Sequence, residues 1–281
     1  MRESKFSNHE GKSISFNDGS GYSFNPLPTY AYNINPNIIG SKIAGFNTAD
    51  TVAYNVEIGA RGINAEDTGN KLDALLSLFK SDISANSYGR LTVNGYSLEC
   101  YITAISPAQN LNTLKSVLCT VFTDRPTWFK EIRTVRYTPD SVIIENSPSG
   151  QPLTSKSYPH GYPYGYPNPY AVKKITNELY SPAQFKLTVE GPCTPSITIG
   201  GHIYGVNADI EAGETLIIDS RQKTVIKRTA DGKTVNLFDS RNRDSFIFEP
   251  IPVGESVVAW QLINQFFITL IDERMIPPWS F

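Results

Sequence analysis

The sequence is poor in the residues on which redox and disulfide chemistry depend. It contains three cysteines and two methionines in 281 residues. Cys100, Cys119 and Cys193 cannot build a disulfide framework, and no two of them form a Cys-x-x-Cys pair. We therefore expect three small, buried, apolar side chains.

Histidine is equally scarce. His9, His160 and His202 are far apart in the sequence and show neither the spacing of a zinc site nor that of a Ser-His-Asp triad. The glycine pairs at Gly19–Gly21 and Gly200–Gly201 fall between predicted strands, whereas a phosphate-binding loop opens onto a helix. We expect no catalytic residue, no metal and no cofactor, and predict that the protein is not an enzyme.

Charge and long apolar runs are also lacking. The formal net charge is −2, and no basic stripe marks a nucleic-acid surface. No run is long enough to cross a bilayer, so we expect no membrane insertion. The first residues, MRESKFSNHEGKSISF, lack the apolar segment of a secretory signal, which predicts synthesis in the cytoplasm.

Aromatic residues, proline and glycine are plentiful, a profile typical of β structure with many turns. In the first half, Thr51–Ala60 alternates as a strand, and Asn94-Gly95 predicts a two-residue hairpin turn. Leu114–Thr123 predicts a further strand. Between the first of these strands and the hairpin turn, the spacing of Leu72, Leu75, Leu76 and Phe79 predicts one helix over about 68–80, capped by Asp67 or Thr68. Asn33–Gly45 is predicted to be a long loop.

A tract rich in tyrosine and proline, residues 146–170, precedes the second run of strands. Its central letters, YPHGYPYGYPNPY, exclude a helix and disfavour a central strand, because proline lacks an amide donor. We expect a polyproline-type connector or an ordered surface loop. Its tyrosine rings either form a binding stripe or pack on the protein's own surface.

Short alternating segments separated by turns continue from Phe185 to Ile271, and include Lys233–Phe238 and Ser245–Phe248. Their regular spacing predicts a sandwich or jelly roll. The predicted fold is mainly β with two domains. Residues 1–131 form a sandwich-like sheet with one helix and a hairpin, and residues 132–281 form a β-sandwich entered through residues 146–170.

The order of several weak motifs resembles the distal tail proteins of long-tailed, siphovirus-type bacteriophages or prophages. Residues 1–131 match that family by organisation, ending in Asp124-Arg125-Pro126. Tyr158–Tyr170 is similar to the aromatic entry to its second domain. The motifs that carry the resemblance in the second half are Ile175-Thr176-Asn177, Val189-Glu190-Gly191-Pro192, Pro195-Ser196-Ile197, Ala212–Ser220, Lys223-Thr224-Val225, Asp231-Gly232, Asn236-Leu237-Phe238, Ser245-Phe246 and Pro252-Val253-Gly254-Glu255.

The resemblance implies a structural role. In that family six copies form a ring through the first domains, and the galectin-like second domains point outward. The ring is a hub at the distal tail tip that joins the tail tube protein, the tape-measure protein and the tail-associated or receptor-binding proteins, while DNA passes through it. The location implied is the virion, after synthesis in the bacterial host cytoplasm.

Two other functions stay open at this point. One is a carbohydrate-binding β-sandwich protein that contacts the host cell surface, with Trp260 or Tyr162, Tyr164 and Tyr166 as sugar or partner contacts. The other is a cell-wall hydrolase, for which the sequence shows no catalytic arrangement. For the ring, we predict inter-subunit contacts at Asn94, Gly95 and Tyr96 of the hairpin and at Asn37 and Phe46 of the segment Asn33–Asn47.

Overall fold

Strands dominate the protein, as predicted. The structure is a computed structural model that describes residues 4–17, 19–31, 34–39, 41–48, 51–111, 113–138, 170–261 and 265–279. The chain divides into two compact units, Met1–Lys130 with Glu273–Phe281, and Glu131–Asp272. The predicted second domain, 132–281, therefore differs from the observed unit, because Glu273–Phe281 belongs with the first unit.

Among its described residues, the first unit contains one α-helix and all or part of ten strands before Glu131. These are β1 (Ser4–Ser7), β2 (Ser13–Ser15), β3 (Tyr22–Phe24), β4 (Ile34–Ile39), β5 (Lys42–Thr48), β6 (Val52–Arg61), α1 (Ala65–Ala85), β7 (Gly89–Val93), β8 (Tyr96–Asn110), β9 (Leu114–Thr123) and the start of β10 (Trp128–Tyr137). A short 3-10 helix, Leu27–Tyr30, follows β3.

Strand β8 belongs to two sheets of this unit. Its first part, Tyr96–Cys100, pairs with β7 in a sheet of order β2-β1-β7-β8-β10. Its second part, Tyr101–Asn110, pairs with β9 in a sheet of order β8-β9-β6-β3. Asn94 and Gly95 have φ of 50° and 79°, so the predicted two-residue turn between β7 and β8 is confirmed.

Helix α1 covers the core of the first unit with the predicted face. Leu75 and Phe79 are fully buried among strand residues, and Phe79 meets Phe6 edge-on at 4.9 Å. The helix begins earlier than predicted because Asn64, and not Asp67 or Thr68, is its N-cap. The Asn64 side chain accepts from the Asp67 amide at 2.8 Å, while Asp67 Oδ2 accepts from the Ile63 amide at 2.9 Å.

The predicted loop over Asn33–Gly45 is wrong for the residues described. Strands β4 and β5 pair antiparallel as a two-stranded sheet of their own, with a bulge between Asn37 and Ile38. Asn35, Asn37 and Gly45, which predicted a loop, lie in the paired strands of this hairpin, where cross-strand pairing overrides their weak strand propensity.

The second unit holds the end of β10, most of β19, and all strands between them. These are β11 (Tyr170–Asn177), β12 (Gln184–Glu190), β13 (Ser196–Ile199), β14 (His202–Gly205), β15 (Thr215–Asp219), β16 (Thr224–Arg228), β17 (Thr234–Asn236), β18 (Gly254–Gln261) and β19 (Gln265–Arg274). Ser245–Phe248 is not a strand, and Lys233–Phe238 is a strand only at β17, so both predictions are corrected.

Two sheets enclose the core of the second unit. One has the order β17-β16-β15-β12-β19-β10 and the other β11-β18-β13-β14. Strand β12 shows the alternation that predicted it, with Phe185, Leu187 and Val189 fully buried. A large aromatic cluster fills the interior, in which Tyr137 stacks on Phe266 at 4.7 Å and meets Trp260 edge-on at 5.4 Å. This arrangement is a β-sandwich.

Candidate assembly surfaces

Hairpin β4–β5 exposes three isoleucine side chains. Ile38, Ile39 and Ile43 are each between 60% and 69% exposed. A two-stranded hairpin is marginally stable in water, and clustered exposed isoleucines are typical of an interaction surface. Asn37, a predicted contact, is exposed on this hairpin. The backbone of Phe46 lies in β5, and its side chain lies outside the described residues.

The outer half of β8 is a second candidate surface. Residues 103–110 are all exposed, and their pairing with β9 is interrupted by two irregularities in register. Within the described residues no strand pairs with the opposite edge of this segment. An open edge offers unpaired backbone groups to another strand, although Pro107 removes one donor. Leu118 and Phe122 of β9 add exposed apolar side chains beside it.

The β7–β8 turn is tied to its own unit. The Asn94 side-chain amide donates to the Tyr30 hydroxyl at 3.1 Å and to the Pro278 carbonyl at 3.0 Å. Gly95 is exposed at the tip of the turn. Of these two predicted contacts, only Gly95 presents a free surface, because Asn94 is half-buried in the bonds that hold the turn.

Tyr96 is misplaced as a predicted contact. The side chain is 6% exposed and packs within the first core, with the Lys130 ammonium and the Arg274 guanidinium above its ring. Side chains alternate between the two faces of β8. Tyr96 pairs with the buried Val93 and lies on the same face, so its side chain points into the core.

Trp260 is likewise corrected as a sugar contact. Its exposure is 0%, and Tyr137 and Phe266 pack against its ring. A sugar platform needs an open ring face, which Trp260 lacks. Tyr162, Tyr164 and Tyr166 lie outside the described residues.

The thiols are poorly suited to nucleophilic chemistry. Burial raises the pKa of Cys100 and that of Cys119 to about 12, and the pKa of Cys193 to about 11. A thiolate is the reactive form, so these groups are unreactive near neutral pH. Among the described residues, no group of histidine, cysteine and acidic side chains has the arrangement of a metal site.

The described histidines have structural partners. His9 Nδ1 lies 2.8 Å from Asp82 Oδ1, and His202 Nε2 lies 2.9 Å from the Phe246 carbonyl. In the part of the chain that the structure covers, no helix combines the length and apolar character needed to cross a membrane.

Two solved phage structures share this fold across nearly the whole chain. SPP1 Dit, described as a paradigm of the hub adsorption apparatus in phages that infect Gram-positive bacteria, aligns with a TM-score of 0.56 at 7% identity. That alignment covers 98% of this chain and 99% of the other. A chain of the phage p2 baseplate, in its activated conformation with Sr, aligns with a TM-score of 0.56 at 13% identity, covering 99% and 100%.

The fold is that of these phage hub and baseplate chains. No family model matches the sequence. No curated protein matches it either. The likeness therefore lies in the fold, since only 7% and 13% of the aligned residues are identical.

Proposed function

We propose that this protein is a structural hub at the distal end of a phage tail. The observation that carries the proposal is the fold shared with SPP1 Dit over 98% of this chain and 99% of that one. A fold shared over nearly the full length of both chains supports a shared mechanical role more than a shared chemistry.

In this proposal six copies close into a ring through their first units. The ring joins the tail tube to the baseplate or host-adsorption apparatus, and its partners are the tube, tape-measure and tail-associated or receptor-binding proteins. The second unit is a galectin-like sandwich. The protein has no catalytic role, it sits in the virion at the tail tip, and DNA passes through the ring without specific binding.

The exposed hairpin and the open β8 edge are the surfaces we assign to the ring contact. Cyclic closure covers such edges on every copy at once, because each subunit offers one surface and receives the other. Isoleucines exposed by 60% or more are costly in a monomer and stabilising in an interface.

The test is the solution mass of the full chain. We expect light scattering to give about six times the chain mass of 31.1 kDa, and electron micrographs to show rings. Replacement of Ile38, Ile39 and Ile43 by threonine keeps strand propensity but removes the apolar surface. That variant should fold and stay monomeric.

Ile63→Thr is the matched control, since Ile63 is 90% exposed in the same unit but lies outside the hairpin. It should assemble as the parent does. A parent chain that is monomeric at every concentration tested, both alone and mixed with its tail tube protein, would contradict the hub proposal. A ring that survives the triple change would contradict only the placement of the contact.

A further inference from the structure

The outer face of β1, β7 and β8 in the first unit carries a polar cavity of about 560 Å³. Small-molecule sites commonly span roughly 300–1,000 Å³. The floor consists of side chains that neighbour one another across paired strands, while the residues between them point into the core. The floor residues are Lys5, Ser7, Arg90, Thr92 and Ser97.

One wall is the turn after β1, and the end of α1 holds it in place. The Asn8 side-chain amide donates to Ser81 Oγ at 3.0 Å. The His9 backbone amide and His9 Nδ1 both reach Asp82 Oδ1 at 2.8 Å, and Asp82 is 1% exposed. Because these bonds already hold the wall in place, ordering it costs little free energy when a ligand binds.

The same contacts define which atom His9 offers to the cavity. Nδ1 faces the Asp82 carboxylate and donates to it, so Nε2 is the ring nitrogen left for a ligand. The buried Asp82 carboxylate thus fixes the orientation of the His9 imidazole, although His9 lies in an exposed turn.

The charge of the cavity is opposite to that of the whole chain. Its lining includes the cations Lys5 and Arg90 but no carboxylate, whereas the chain carries a net −2. Within the described residues Lys5 has no acidic partner at ion-pair distance. Arg90 lies 3.8 Å from Glu99, which also has Arg125 at 3.6 Å, so Glu99 keeps a cation if Arg90 turns to a ligand. These groups favour an anion.

The remaining lining is rich in hydroxyl groups. Thr92 Oγ1 and Ser97 Oγ lie 3.0 Å apart, and Ser7 and Asn8 add further groups that both donate and accept. Tyr88 supplies an aromatic wall, and no aliphatic side chain lines the cavity. Protein partners anchor in pockets through large apolar side chains, so this lining suits a small polar ligand better.

We propose that this cavity binds a sugar or polyol that carries a phosphate group. The phosphate lies against Lys5 and Arg90, and the ligand hydroxyls bond to Ser7, Thr92, Ser97 and His9 Nε2. This binding site is independent of the hub role, since it is built entirely within the first unit and requires no second copy.

Titration calorimetry on the full chain tests the proposal with glucose 6-phosphate, glucose and inorganic phosphate. We expect glucose 6-phosphate to bind at least about tenfold more tightly than either fragment, and to weaken as salt rises. Lys5→Gln should weaken binding by roughly 10-fold, the loss of one charge-assisted bond. Arg90→Gln should weaken binding to the same extent, and it tests the proposal if Lys5→Gln fails to fold.

Lys12→Gln is the matched control, because Lys12 lies in the adjacent turn, pairs with Glu10 and does not line the cavity. It should leave affinity unchanged. The proposal is overturned if no probe binds, or if Lys5→Gln and Arg90→Gln both behave as the control does. If phosphate binds as tightly as glucose 6-phosphate, the cavity is a site for anions and the sugar part of the proposal is wrong. Binding of a glutamate-rich peptide in preference to glucose 6-phosphate would assign the cavity to a protein segment instead.

Discussion

Asp82 shows how one buried residue sets the form of an exposed turn. It lies in the last turn of α1 and accepts both the backbone amide and the Nδ1 of His9, 73 positions earlier in the sequence. Its other oxygen, Oδ2, is buried without a hydrogen-bond partner. A carboxylate held in that way is costly to bury, so its bonds to His9 must offset much of the cost.

Asp82→Ala should therefore destabilise the first unit by about 1–3 kcal/mol, because two donors lose a buried acceptor. Urea unfolding followed by the fluorescence of the tryptophans checks this, with hydrogen exchange showing which unit is affected. Asp73→Ala on the exposed face of α1 is the control and should change stability by less than about 0.5 kcal/mol. Equal effects of the two changes would contradict the structural role of Asp82.

The buried thiols predict how the stability of the first unit changes at alkaline pH. In the unfolded chain a cysteine ionises near 9.0, whereas burial raises the pKa of Cys100 and of Cys119 to about 12. Between those values the unfolded state binds fewer protons than the folded state, so unfolding becomes easier as pH rises. We expect the contribution of these two thiols to the stability of the first unit to be constant below pH 9 and to fall above it.

Urea midpoints at about pH 8 and about pH 10.5 measure that fall. The double change Cys100→Ala, Cys119→Ala should make the fall shallower, with the remainder due to tyrosines such as Tyr88. The hydrogen bond from the Tyr88 hydroxyl to Asp124 raises the pKa of that tyrosine to about 12. A pH dependence that is the same in the double variant would show that the thiols are not its source.

At the scale of elements, the start of α1 can be tested directly. Asn64→Ala removes the acceptor for the Asp67 amide and should cost about 1 kcal/mol. Asn70→Ala, on the exposed surface of the same helix, should be neutral or stabilising by a few tenths of a kcal/mol through higher helix propensity. Thermal unfolding of both variants checks the pair. A loss at Asn70 as large as that at Asn64 would contradict the cap.

The elements also show what a sequence can and cannot predict. Leu114–Thr123 matches its observed strand at both ends, because alternation and flanking turn residues are local signals. Hairpin β4–β5 was missed because its asparagines and glycines resemble a loop until a partner strand is known. The sequence does not distinguish Tyr96 and Trp260 from surface contacts, because aromatic residues serve both cores and binding sites, and only the register decides between them.

At the scale of the whole molecule, the segment after Arg274 is the feature that no local pattern predicted. Within the first unit, the Trp279 ring meets the Tyr30 ring at 4.4 Å, and the Pro278 carbonyl accepts from Tyr30 and Asn94. These contacts join positions more than 180 residues apart in sequence, and sequence spacing carries no signal for them.

A chain that stops after Arg274 should lose stability in the first unit only, by roughly 1–3 kcal/mol for the lost hydrogen bonds and ring contact. Hydrogen exchange should quicken around Leu27–Tyr30 and the β7–β8 turn, and stay unchanged in β12. Trp279→Phe in the full chain keeps a ring against Tyr30 and should show a smaller effect. Faster exchange confined to the second unit would contradict the assignment of this segment.

The division of the chain into two units affects the order in which they can fold during synthesis. Residues 131–272 interrupt the first unit, so a ribosome completes the sandwich before it makes the segment that finishes the unit preceding it. The two units can thus mature in the reverse of their order of synthesis. A chain terminated after Asp272 would carry a finished second unit and a first unit that lacks Glu273–Phe281.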